Sequence, residues 1–194
     1  MCSFVADAKA FRLSRTTINP KDLKVQAMDG WKHGKPYAMV VCPVYQLPSR
    51  TSQIYQQAGT SSVCIGTYTH LAVMVRYAQK AGINRAMELV HEVFKSVEAM
   101  TPSKDAGGYW QIVNRKILDF DRVLRDLWSE EKKASNDSII ISREEALCFL
   151  AAERERIMRL SKKEAIAEII KSSKIESKIK LIESIGDNGL LEVG

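Results

Sequence analysis

The stretch YAMVVCPV, Tyr37 to Val44, is nearly all apolar and constrains the fold more than any other. It is far shorter than the ~20 apolar residues that span a bilayer. Gly34 and Pro36 punctuate the chain before it, and Pro43 lies near its end. It reads as a buried strand closing near that proline. Two other segments can join it in a sheet. Residues 3–11 alternate, with Ser3, Val5, Asp7, Lys9 and Phe11 on one face and Phe4, Ala6, Ala8 and Ala10 on the other. SSVCIGTY is a further short, mostly apolar strand reaching about Thr67.

Helical patterns surround and follow these strands. Asn19-Pro20 marks a loop before a helix over Lys21 to Gly30, and SRTSQIYQQ is a short helix or an ordered loop. THLAVMVRYAQKA is helical and stops at Gly82. In the next helix Met87, Val90, His91, Phe94 and Val97 share a face. A long helix follows over about Tyr109 to Lys133, with Ile112, Ile117, Phe120, Leu124, Leu127 and Trp128 inward, and SNDSIIIS breaks it. Ser142-Arg143-Glu144-Glu145 and Ser161-Lys162-Lys163-Glu164 are both capping-box patterns, each opening a new helix. A last helix covers about Ser173 to Ile185. The expected class is α/β, in its α+β form. Residues 1–67 make the strand-rich part and residues 68–194 a helical portion packed on it in the same domain. A sheet of three strands, one of them at the very start of the chain, looks incomplete.

Charge is distributed unevenly. Residues 1–58 hold eight bases and three acids, hence 8 − 3 = +5 of the total +6. A polyanion such as DNA fits this asymmetry, and so does a plain solvated basic surface. The four cysteines are scattered without a CxxC pair, and residues 1–15 lack a signal-peptide layout. Together these read as a reduced cytoplasmic protein with no membrane span.

The sharpest chemical signal is Asp7-Ala8-Lys9 inside FVADAKAFRLSR. On a strand the two charged side chains point the same way. A carboxylate so placed can hold a hard cation such as Mg²⁺. A neighbouring lysine can orient or help deprotonate a water and offset the charge of a pentavalent phosphorane. An exposed ion pair on an edge strand has the same spacing, and the bare triplet does not separate the two. Arg12, Ser14, Arg15 and Thr16 follow at once, side chains suited to phosphate oxygens and base edges.

The segments FVADAKAFRLSRT, NPKDLKVQAMDGW, YAMVVCPVYQLPSRTSQIYQQ and THLAV, and then KKEAIAEIIKSSKIESKIKLIESI, resemble the HindIII family of type II restriction endonucleases. The resemblance runs over about Phe4 to Ile185 and is loosest between Arg76 and Leu160. It implies a PD-(D/E)xK-like nuclease core with a mixed sheet flanked by helices. It further implies a homodimer acting on palindromic double-stranded DNA with Mg²⁺, leaving 5′-phosphates, in a bacterial restriction-modification setting. In that pattern Asp7 matches the second metal-binding acid and Lys9 the catalytic lysine. Arg12, Ser14, Arg15, Asn19, Lys21 and Lys24 follow the catalytic strand and are the expected DNA contacts.

One departure stands out. The family's first acid lies upstream on a preceding strand, whereas only six residues, none acidic, precede Asp7. The chain therefore reads as the C-terminal two-thirds of such an enzyme, truncated on its N-terminal side. Weak or absent activity is the expectation, with a non-catalytic DNA-binding remnant as the alternative. Gln53, Gln56 and Gln57 can read adenine or simply cover a polar helix surface. His33, His70 and His91 lack metal-ligand spacing, and Trp31, Trp110 and Trp128 read as core or interface anchors.

Overall fold

The computed structural model describes residues 3–10 and 23–183. Three strands, β1 (Phe4–Ala8), β2 (Tyr37–Cys42) and β3 (Val63–Thr67), form a parallel sheet in the order β1-β2-β3. The register runs Phe4↔Tyr37 to Ala8↔Val41 and Ala38↔Val63 to Cys42↔Thr67. Hydrophobicity sets this order. All six residues of β2 are apolar and buried, so it takes the centre with both faces covered. β1 carries the charges and is half exposed, so it takes an edge. The chain is α/β, with this sheet followed by a large helical portion.

Parallel neighbours require crossovers, and helices supply them. α1 (Val25–Gly30) precedes β2, and α2 (Gln53–Thr60) lies between β2 and β3. β2 ends where Pro43 removes a ladder N–H, and Val44–Gln46 then form one 3₁₀ turn. Ser52 caps α2, its Oγ accepting from Ile54 N–H at 3.4 Å, which settles SRTSQIYQQ as a helix with a lead-in loop.

α3 (Tyr68–Ala81) and α4 (Ile83–Glu98) meet at Gly82, whose φ of +89° suits glycine. α4 buries Ala86, Leu89, Val90, Val93, Phe94 and Val97. Met87 and His91, expected on that stripe, sit on its flank and are half-buried. The Phe94 ring stacks on Tyr37 at 4.8 Å and meets Phe4 edge-on at 5.0 Å, tying β1 and β2 to α4. Fully burying an aromatic side chain of this kind stabilises by about 1.5–3 kcal/mol.

The long helix expected over Tyr109 to Lys133 is two helices, α5 (Ala106–Phe120) and α6 (Val123–Met158). The break falls at Asp121, not at SNDSIIIS. Asp121 is extended, with φ −154° and ψ 142°. Its carboxylate accepts from the Val123 N–H at 3.1 Å and from the Tyr77 hydroxyl at 2.7 Å. SNDSIIIS instead continues α6, and the Ser142 pattern opens no helix because the residues before it are already helical. The second capping box is realised. Ser161 Oγ accepts from Glu164 N–H, and Glu164 Oε2 from Ser161 N–H at 2.8 Å, opening α7 (Lys162–Ser172). α8 (Ile175–Glu183) follows.

The chain divides into two compact units, 1–146 and 147–194. The first holds the sheet and one core built from β2, β3 and the inner faces of α1 to α5 and of the start of α6. In the second, Arg156 of α6 lies 3.5 Å from Glu168 of α7. Cys42 and Cys64 are buried free thiols in the sheet, and Cys148 is an exposed one. Burial pushes the Cys42 thiol up to about 12 and the Cys64 thiol up to about 11. Among the described residues no helix is long and apolar enough to cross a membrane.

Candidate active site

The alternation of β1 brings Asp7 and Lys9 together at the carboxyl end of the sheet. Lys9 Nζ lies 2.6 Å from Asp7 Oδ2. The Asp7 side chain is 27% exposed and that of Lys9 16%, so the pair is accessible yet partly withdrawn from water. Such a pair is weakly screened by salt and geometrically restrained.

The main chain of Lys9 is held at both ends. Its N–H donates to Val41 C=O at 2.8 Å, extending the β1–β2 ladder one step past the strand. Its C=O accepts from the Tyr68 hydroxyl, also at 2.8 Å. Tyr68 opens α3 directly after β3, and the parallel register carries that point to the same end of the sheet as Lys9. Burial first, then the nearby Cys42 and Tyr45, raise the Tyr68 hydroxyl above its ordinary range, so it remains a donor.

Behind Tyr68 lies a polar cluster that sequence spacing did not reveal. His70 is buried, with Nδ1 accepting from Thr67 N–H at 3.1 Å and 2.6 Å from the Thr67 hydroxyl. Its Nε2–H donates to Asn114 Oδ1 at 2.9 Å. The ring stacks on Trp110 at 5.4 Å and lies 5.2 Å from Trp128. Burial lowers its pKa below the ordinary value, only partly opposed by the Asn114 bond. His70 is thus a structural residue with both ring nitrogens engaged. Trp110 and Trp128 anchor it, as core tryptophans should.

The other expected residues divide. Arg12, Ser14, Arg15, Asn19 and Lys21 lie outside the described residues. Lys24 is described, with its ammonium 5.3 Å from the ring of Trp31, which is 43% exposed. Gln53 and Gln57 line a cleft shared with Lys24, while Gln56 is not among the lining residues.

The fit to Mg²⁺ can be tested on donor chemistry. Mg²⁺ takes octahedral oxygen ligands, usually one or two carboxylates plus waters and substrate phosphates. Among the described residues no cluster of three metal-ligating side chains exists. Asp7 Oδ2 is engaged by Lys9. The described residues therefore do not by themselves make a Mg²⁺ site.

Residues 1–186 match the HindIII restriction endonuclease family. The type II restriction enzyme HindIII of Haemophilus influenzae is 30% identical over 187 residues, an alignment covering 93% of this chain and 60% of that protein. The chain thus spans about 60% of the length of the curated relative it matches. With the match covering nearly its whole length, the chain belongs to the HindIII restriction endonuclease family.

Proposed function

We propose that the chain carries the catalytic strand of a type II site-specific endonuclease acting on palindromic double-stranded DNA. The observation that supports this best is the Asp7–Lys9 pair, 2.6 Å apart at the end of an edge strand, in a member of a restriction endonuclease family. In this reading Lys9 positions the attacking water and its ammonium offsets the negative charge that develops on the phosphorus oxygens. Asp7 holds Lys9 in place and would be one of the ligands that a Mg²⁺ ion needs, the ion supplying Lewis-acid charge when bound. Lys24 and the residues Arg12 to Lys21 named above take phosphate oxygens and base edges. The working species is a cytoplasmic homodimer, whose two-fold axis matches the palindrome.

With no cluster of three metal-ligating side chains among the described residues, the 194-residue chain alone cleaves weakly or not at all. That same observation favours a second reading, a non-catalytic DNA-binding remnant. A plasmid assay with Mg²⁺ separates them, run on the wild type, Asp7→Asn and Lys9→Ala. Slow cleavage that both variants abolish supports the endonuclease. Absent cleavage with salt-dependent duplex binding supports the remnant. Fast cleavage unaffected by Asp7→Asn would sink the assignment of Asp7.

A further inference from the structure

A cleft of about 860 Å³ opens between the first turns of α1 and α2. Topology fixes where it lies. β2 leaves the sheet at Cys42, and α2 carries the chain back to start β3 in the same direction. The first turn of α2 therefore sits at the carboxyl end of the sheet. α1, between β1 and β2, begins at that end for the same reason. Lys9, in line with Cys42, is there too. In open α/β sheets, ligands bind in the crevice beyond the carboxyl ends of the strands.

The lining chemistry is specific. Lys24, Ser49, Thr51, Gln53 and Gln57 face the cleft, and among the described residues no carboxylate does. Among the described residues the Lys24 ammonium makes no ion pair; its neighbour is the Trp31 ring. Gln53 and Gln57 are four apart on α2 and both line the cleft, which Gln56 does not. A cation and hydroxyls suit phosphate oxygens, and a side-chain amide can bond adenine at two points.

We propose that this cleft is a DNA-recognition subsite. Lys24, Ser49 and Thr51 hold one strand's backbone, and Gln53 and Gln57 read base edges, adenine foremost. The inference rests on the endonuclease reading and adds to it the residues that set sequence preference.

The test is selection from a duplex library randomised over one helical turn, with the intact chain at low salt, without Mg²⁺. Gln53→Ala, Gln57→Ala and Gln56→Ala are compared with wild type, after circular dichroism confirms folding. Alanine favours helix at each position, so folding is not at risk. The expected result is an adenine-bearing preference that falls about 5- to 100-fold in Gln53→Ala and Gln57→Ala and persists in Gln56→Ala. Lys24→Ala should weaken binding to all sequences and reduce the salt slope by about 1. Unchanged preference in both cleft variants, or a wild type that binds every sequence alike, overturns the subsite while leaving the catalytic assignment standing. A wild type that binds no duplex overturns the subsite and the DNA reading together. Loss of cleavage in Asp7→Asn is scored separately, so the two failures remain distinguishable.

Discussion

Lys9 owes its position to two hydrogen bonds of its own main chain as much as to Asp7. Val41 C=O holds its N–H and the Tyr68 hydroxyl holds its C=O. Tyr68→Phe removes the second bond and leaves the ring. A single hydrogen bond of this kind contributes about 0.5–1.5 kcal/mol net. We expect faster amide exchange at Lys9 and Ala10 with a nearly unchanged melting temperature; unaltered exchange there would contradict the role. His70 gives a pH-dependent signature. Its folded pKa is below the ordinary 6.5, so the unfolded state binds the proton more readily. Stability is full above about pH 6.5 and falls as pH drops through the window below it. Asp121 and Glu164 are shifted below ordinary carboxylate values and act at lower pH. Urea midpoints at pH 7.5 and 5.5 should therefore differ in wild type and converge in His70→Gln. At this scale the Asp7–Lys9 pairing was legible, because strand periodicity acts over two residues. Tyr68 and His70 were not, because their partners are up to 59 and 44 positions away and only the folded register brings them near.

At the scale of elements, hydrophobic pattern was the dependable guide. The uniformly apolar β2 became the central strand, and the charge-bearing β1 an edge. The boundary between α5 and α6 was misread because SNDSIIIS contains the residues that usually end helices, while Asp121 sits in an ordinary helical context. What decides the break is a tertiary partner, the Tyr77 hydroxyl, together with the Val123 cap. Asp121→Ala should lower the melting temperature by a few degrees. Asp137→Ala, at an exposed position within SNDSIIIS, should change stability by no more than about 0.5 kcal/mol. The two capping boxes make the same point. The pattern at Ser161 is realised because the chain there is extended, with ψ of 160°, whereas at Ser142 it lies within continuous helix.

For the whole molecule, one aromatic contact joins the candidate site to the core. Phe94 packs on both Phe4 and Tyr37, so α4 helps to hold β1 against β2. Phe94→Ala should cost about 3–5 kcal/mol by denaturant unfolding, and β1 should become protease-sensitive early. The parallel sheet also carries its own chemical reporter. Cys42 on β2 and Cys64 on β3 are buried thiols with pKa values of about 12 and 11, while Cys148 is exposed. At neutral pH the inner pair is almost wholly un-ionised and out of reach, so an alkylating reagent modifies Cys148 at once and the sheet cysteines only when the sheet opens. Peptide-resolved alkylation over time thus becomes a clock for strand separation, and a ligand that closes the carboxyl end of the sheet should slow it.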